Sequence, residues 1–117
     1  MNGLLSVIIP AYNEQEMIPK AAATIAEILE QAEISYELLF VNDGSRDLSW
    51  QCIEEAADQN PSIRGLNFSR NFGKESAMFA GLSEAVGDCV VVIDCDLQRL
   101  PTGRKIVEMY RLWRGRI

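Results

Sequence analysis

The chain has 117 residues, 48% of them hydrophobic and 24% charged, with a formal net charge of −6. That length suffices for one globular domain with a modest core, and the acidic balance argues against nucleic-acid binding, which needs a broad basic face. No apolar run approaches the roughly 20 residues needed to cross a bilayer, and the absence of histidine removes Ser-His and Cys-His nucleophile systems and every His-ligated zinc site.

Leu4 to Ile9 is an apolar run that predicts the first strand, ended by Pro10. It has no positively charged leader and breaks at the proline, so it does not read as a signal peptide. In Pro10-Ala11-Tyr12-Asn13-Glu14, Tyr12 offers an aromatic face, while Asn13 and Glu14 offer hydrogen bonds beside a helix N-terminus. A proline turn with a helix cap accounts for the same residues. From Glu14 to Ala32, Met17, Ala21, Ile25, Ile28 and Leu29 recur at helical spacing, with Glu14 and Glu16 at the positive end of the helix dipole.

Glu37 to Val41 predicts a second strand, followed by Asn42-Asp43-Gly44-Ser45. Asp43 can accept hydrogen bonds from a base edge or ribose, and Gly44 permits a tight turn. A plain Asp-Gly turn is the alternative. Asp47 is expected to cap a helix running to Gln59, with Trp50, Ile53, Ala56 and Ala57 on one face. The Gly-x-Gly-x-x-Gly fingerprint is absent from the first strand-helix turn and there is no P-loop, which removes the nicotinamide and ordinary ATP-hydrolysing readings.

After Pro61, Ile63 to Phe68 predicts a third strand, leading into Ser69-Arg70-Asn71-Phe72-Gly73-Lys74-Glu75. Arg70 and Lys74 are two of only five basic residues in the first 98, against sixteen acidic ones. Ahead of a helix N-terminus they offer fork and point-charge donors suited to a pyrophosphate; structural salt bridges are the alternative. The helix is predicted over Lys74 to Ala85, with Met78, Phe79 and Leu82 turned inward.

Cys89-Val90-Val91-Val92-Ile93 predicts a fourth strand, buried on both faces. Asp94-Cys95-Asp96 stands directly behind it. Carboxylates one residue apart repel each other, so the pair points to a cation, most simply Mg²⁺ or Mn²⁺ carrying substrate phosphates. A solvated acidic turn is the alternative. Pro101 and Thr102 open a last helix with Ile106, Val107, Tyr110 and Trp113 on its apolar side. From Arg99 onward six basic residues accompany one acid, Glu108. Such a tail suits either an anionic membrane surface or a solvated helix face. Cys52, Cys89 and Cys95, odd in number and without metal spacing, read as reduced thiols of a cytoplasmic protein.

Strand-like and helix-like segments thus alternate without hairpin signals. This predicts an α/β fold: one domain over residues 1–117, with an open, mainly parallel sheet of about four strands, flanking helices and right-handed crossovers. All strand ends then share one edge, where ligands bind in open α/β sheets. A base or ribose pocket, a phosphate clamp and a divalent metal along that edge make up a nucleoside-diphosphate site.

The chain resembles the N-terminal half of a family 2 glycosyltransferase with the GT-A fold. The likeness runs over residues 4–98 and rests on Val7-Ile8-Ile9-Pro10-Ala11-Tyr12-Asn13-Glu14, Val41-Asn42-Asp43-Gly44-Ser45, the 69–75 stretch and Val92-Ile93-Asp94-Cys95-Asp96-Leu97-Gln98. The last two are most similar to the branch that transfers sugars to polyprenyl phosphates, such as dolichol-phosphate mannose synthase. The resemblance implies that Pro10, Tyr12, Glu14, Asp43 and Asp94 line the nucleotide, with Asp43 meeting the base. It places Arg70 and Lys74 near the phosphates, and makes Asp94 and Asp96 metal ligands with Gln98 as a further one. It implies a UDP- or GDP-type sugar donor, an inverting single displacement and a lipid-phosphate acceptor.

Two departures stand out. Where the family continues from Asp-Leu-Gln into a proline-rich turn, this chain has Arg99-Leu100-Pro101-Thr102-Gly103-Arg104, so residues 99–117 depart from the pattern. A complete catalytic domain of this type is about twice as long. The acceptor-side base and any membrane-contacting segment, on the cytoplasmic face, are therefore expected beyond Ile117. Two other readings stay open: a non-catalytic interaction module that self-associates through an unfinished sheet edge, and a haloacid-dehalogenase-like phosphatase, which also sets Asp-x-Asp behind an apolar strand.

Overall fold

The computed structural model describes residues 3–95 and 101–115. In chain order its elements are β1 (Leu5–Ala11), α1 (Met17–Gln31), β2 (Tyr36–Asn42), α2 (Ser49–Gln59), β3 (Ile63–Asn67), α3 (Lys74–Glu84), β4 (Cys89–Val92) and α4 (Pro101–Gly115). The strands form one parallel sheet in the order β3-β2-β1-β4. The chain steps outward from β1 to β3 with α1 and α2 on one face, then reverses past β1 to β4 with α3 on the other. Reversing direction and face together keeps the crossovers of one hand.

Alternation along the strands divides the core. Leu5, Val7, Ile9 and Ala11 of β1 and Leu38 and Phe40 of β2 are buried against α1, α2 and α4, where Ile18, Ala21, Ile25, Leu29, Ile53, Ile106 and Tyr110 meet them. Each large side chain among these contributes roughly 1.5–3 kcal/mol by leaving water. Trp50, Ala56 and Ala57 of α2 and Val107 and Trp113 of α4 pack on the same cluster, as their spacing predicts. On the opposite face Ile8 and Val41 pack against Ala77 of α3.

The third helix corrects the sequence expectation. Its buried residues are Ala77 and Gly81, while Phe79 and Leu82 lie in solvent, 72% and 49% exposed. A Cβ at Gly81 would stand 2.5 Å from Cγ2 of Ile8. The helix therefore lies close on the sheet through its small residues, and the large ones have no room beneath it.

Each strand differs from its expected bounds by one or two residues at an end, and β1 and β4 show the two differences that matter. β1 continues through Pro10, which pairs with Val41, to Ala11 opposite Asn42. In a parallel strand alternate residues bond to alternate neighbours. The odd residues of β1 face β2, as Leu5 N to Ser35 O shows, and the even ones face β4, as Ile93 N to Ile8 O shows. Pro10 thus lacks its N–H only on the β4 side, so it ends that ladder and leaves the other intact. β4 itself is not buried on both faces: Val90 is 38% exposed, because β4 borders the sheet among the described residues.

At the amino edge Glu37, 6% exposed, ties three strands to the α3–β4 connection. Its carboxylate accepts hydrogen bonds from Ser6 Oγ (2.6 Å), Val86 N (2.9 Å) and Arg64 Nε (3.1 Å). Arg64 Nη2 also donates to the carbonyl of Glu84 in the last turn of α3, and Gly87 N donates to Ser6 Oγ. Burial opposes the charge of Glu37, but these donors outweigh it and hold the carboxyl below its usual range. Among the described residues no helix is long and apolar enough to cross a membrane.

Candidate functional site

Because all strands run parallel, Ala11, Asn42, Asn67 and Val92 end at one edge. β1 has β2 on one side and β4 on the other, reached by connections of opposite direction, so the chain diverges there and opens a crevice. A cavity of about 280 Å³ lies at that edge, lined by Pro10, Ala11, Tyr12, Glu14, Asp43, Lys74, Asp94 and Cys95. Six of the residues singled out in the sequence (Pro10, Tyr12, Glu14, Asp43, Lys74 and Asp94) therefore share one wall. Arg70 is not on it: its guanidinium stacks 4.7 Å from the centre of the Phe72 ring, in solvent. Asp96 and Gln98 lie outside the described residues.

The first two strand ends are knitted together. Asp43 N donates to the carbonyl of Ala11, Asn13 N to Ser45 Oγ (2.8 Å), Arg46 N to Asn13 Oδ1 (2.9 Å) and Glu14 N to Ser49 Oγ (2.8 Å). Asn13 adopts a left-handed φ of 53°, which asparagine tolerates better than most residues. The N-cap of α2 is Leu48, not Asp47, and has no side-chain cap bond; Asp47 stands one residue earlier and bridges the two loops instead. Its Oδ1 accepts from Ser49 N (2.9 Å) and Ser49 Oγ (2.5 Å), and its Oδ2 from Gln15 N (3.3 Å). Partial burial works against its charge, yet these bonds prevail and lower its pKa.

Asp43 is 4% exposed, and its carboxylate is engaged by the loop after β3. Oδ1 accepts from Phe72 N (2.8 Å); Oδ2 accepts from Gly73 N (3.1 Å) and Asn71 Nδ2 (3.2 Å). Gly44, at φ 67°, lets the two loops touch: a Cβ there would stand 2.1 Å from the carbonyl carbon of Arg70. Gly73, at φ 105°, then turns the chain into α3, so Lys74 sits on the first helical residue.

Asp94, by contrast, is exposed. Its Oδ1 pairs with Lys74 Nζ at 2.5 Å, with side-chain exposures of 59% and 60%. The pair joins the third and fourth strand ends across the cavity mouth. Carboxylate oxygens are hard donors that suit Mg²⁺ or Mn²⁺, and such ions commonly take one or two carboxylates and complete their shell with water and substrate phosphates. Among the described residues no group of three or more Asp, Glu, His or Cys side chains gathers around one point, and Asp94 is the one member of the expected ligand set that they include.

Sequence reasoning passed over several residues that build this edge. Asn42, 3% exposed, donates from Nδ2 to Asn67 Oδ1 (2.8 Å) and accepts from Ser45 N (3.3 Å). Asn71 joins Asp43, and Ser49 serves both loops. A polar residue closing an apolar strand was the available signal, since a buried amide must find partners. The buried Cys95 also reaches the cavity wall.

Residues 6–111 match the family model described as glycosyl transferase family 2. The chain is 44% identical over 94 residues to a prophage bactoprenol glucosyl transferase homolog of Escherichia coli (strain K12), a match that covers 80% of this chain and 31% of that protein. It is 41% identical over 98 residues to an undecaprenyl-phosphate 4-deoxy-4-formamido-L-arabinose transferase of Proteus mirabilis, covering 83% and 30%. Among solved structures, the mannosyltransferase PcManGT from Pyrobaculum calidifontis, in complex with GDP-Man and Mn²⁺, matches with a TM-score of 0.73 and 26% identity, over 82% of this chain and 28% of that one. The chain spans less than a third of the length of each of these proteins.

Proposed function

The chain belongs to glycosyl transferase family 2, and from that premise we propose that it forms the nucleotide-sugar-binding portion of an enzyme that passes a sugar from a nucleoside-diphosphate donor to a polyprenyl phosphate. Membership leaves the phosphatase alternative without support. The observation that carries the reading is the convergence of Pro10, Tyr12, Glu14, Asp43, Lys74 and Asp94 on one cavity at the point where the sheet diverges. The names of the bactoprenol and undecaprenyl-phosphate relatives support the acceptor class, and the GDP-Man and Mn²⁺ of the Pyrobaculum structure support the donor class and a divalent ion.

In this reading the half-exposed ring of Tyr12 stacks on the base, and Pro10 shapes the wall beneath it. Lys74, at the N-terminus of α3, meets the diphosphate with its ammonium and with the N–H groups of the first turn. Arg70 reaches the same phosphates by leaving Phe72. Asp94, with Asp96 and Gln98, holds Mg²⁺ or Mn²⁺. When bound, that ion supplies positive charge that offsets the departing diphosphate. Transfer is a single inverting displacement, its acceptor side lying in the region of the enzyme outside this chain, and the acceptor brings the site to the cytoplasmic face of a membrane.

Titration calorimetry with UDP and GDP, with and without Mn²⁺, tests the proposal. Metal-dependent binding of at least one nucleotide is expected. No binding of either by a chain shown to be folded by circular dichroism overturns it. The border that β4 forms among the described residues, and the exposed Phe79, Leu82 and Val86, favour a second reading, in which the chain also associates with a second copy of itself. Light scattering decides this: a strict monomer at high concentration removes it.

A further inference from the structure

We infer that Lys74 and Asp94 exchange partners as the site fills, so that a divalent cation and a diphosphate each bind better in the presence of the other; this rests on the nucleotide-binding proposal above. Among the described residues that line the cavity, Glu14, Asp43 and Asp94 set three carboxylates against one ammonium, that of Lys74. Such a wall attracts a cation and repels a phosphate. Its one cationic side chain is already committed, since Lys74 Nζ donates to Asp94 Oδ1. A divalent ion meets the converse obstacle, because an ammonium stands at the oxygen it would use.

The other ion pair among the described residues shows what a permanent one looks like. At the amino edge Arg64 meets Glu37, whose side chain is 8% exposed, and the two are tied further to Ser6, Val86 and the carbonyl of Glu84. Lys74 and Asp94 instead leave more than half of each side chain in water. Water screens such a pair, so either partner leaves it at small cost. Lys74 is the first residue of α3 and Asp94 lies two residues past β4, so the contact joins two side chains and its loss requires no movement of either backbone. An ion that takes Asp94 releases Lys74 toward the diphosphate, and a diphosphate that takes Lys74 releases Asp94 toward the ion. Linkage makes the two effects equal in free energy.

Exchange predicts a gain of affinity from the loss of a side chain. Mn²⁺ alone is titrated into the wild type, Lys74→Met, and the chain carrying both Lys74→Met and Asp94→Asn, with free ion followed by electron paramagnetic resonance. Arg70, Lys74 and Asp94 are exposed, so each variant is expected to keep the fold. Lys74→Met should bind Mn²⁺ about two- to fivefold more tightly than the wild type, the range an exposed pair sets, and the double variant should lose that gain. Arg70→Met removes a like charge from the same loop and is the control for the general field. An equal gain there, or no gain in Lys74→Met, overturns the inference. Calorimetry with pyrophosphate and a metal chelator tests the other half. Asp94→Asn should bind pyrophosphate several-fold more tightly than the wild type, and equal affinities overturn the inference from that side. If the wild type binds neither UDP nor GDP with Mn²⁺ while Lys74→Met still gains affinity for the ion, the nucleotide-binding proposal fails and the competition of Lys74 with the ion stands.

Discussion

The two halves of the carboxyl edge use polar residues in opposite ways. After β1 and β2, the side chains of Asn13, Ser45, Asp47 and Ser49 are committed to backbone groups of the neighbouring loop. After β3 and β4, Arg70, Lys74 and Asp94 stand in solvent, held by one ring contact and one exposed ion pair. A site needs both: a floor whose donors and acceptors are satisfied, and charges held loosely enough to be redirected by an arriving ligand. Asp43 and Gly44 join the halves.

The comparison breaks most readily at the join. Gly44→Ala places a Cβ on the backbone of Arg70 and forces a left-handed φ on a residue with a side chain, so a loss of roughly 2–4 kcal/mol is expected in urea denaturation. A change under about 0.5 kcal/mol, the range of ordinary surface substitutions, shows that the loops do not touch as described.

Asp47→Ala comes next, at about 1–2 kcal/mol, because it leaves Ser49 N and Gln15 N without the carboxylate that they share. It also alters the response to acid. The folded pKa of Asp47 lies below the unfolded one, so as the pH falls the unfolded chain takes up the proton first. The stabilisation is complete above the ordinary aspartate pKa of about 4 and is lost as the pH falls through the folded value. The variant should therefore lose less stability than the wild type on going from pH 6 to pH 3, while Glu37, whose pKa is also lowered, still contributes in both chains. Equal acid sensitivity in both chains removes Asp47 from that account.

On the loose half the stability effects should be small and the binding effects large. Asp94→Asn is expected to shift unfolding by no more than about 0.5 kcal/mol, since exposed ion pairs are worth little. In calorimetry it should abolish any difference in UDP or GDP binding with and without Mn²⁺. Retained metal dependence sinks the role given to Asp94. Lys74→Met should leave stability still closer to wild type and weaken nucleotide binding several-fold, more steeply at low ionic strength where charge is least screened. An affinity that does not respond to salt in either chain separates Lys74 from the phosphates.

The strands were legible because their apolar, β-branched runs are short and bounded, and the residues that follow them needed only a parallel sheet to share an edge. What escaped was whatever depends on spacing between elements. Met78, Phe79 and Leu82 look like the buried stripe of α3 by size alone; the helix instead approaches Ile8 through Gly81, a fact about the separation of two layers. The partners of Asp43 escaped for a similar reason. A carboxylate beside a glycine reads the same whether it faces a ligand or a loop 28 residues away, and only the fold sets Asn71 against it. Asn42 and Asn67, polar ends of two strands, join through a register that the sequence does not state.

Pro10 has a consequence beyond its own turn. Because it has nothing to donate on the β4 side, the carbonyl of Ile93 receives no hydrogen bond from Pro10 in the next rung, and the pairing of β1 with β4 runs no further than Ile8 opposite Val92. The point of separation is fixed to a single residue by covalent chemistry rather than by packing. On the other side β1 stays paired with β2 as far as Ala11 opposite Asn42. The absence of one hydrogen atom thus marks where the sheet lets go of its chain and the ligand's territory begins.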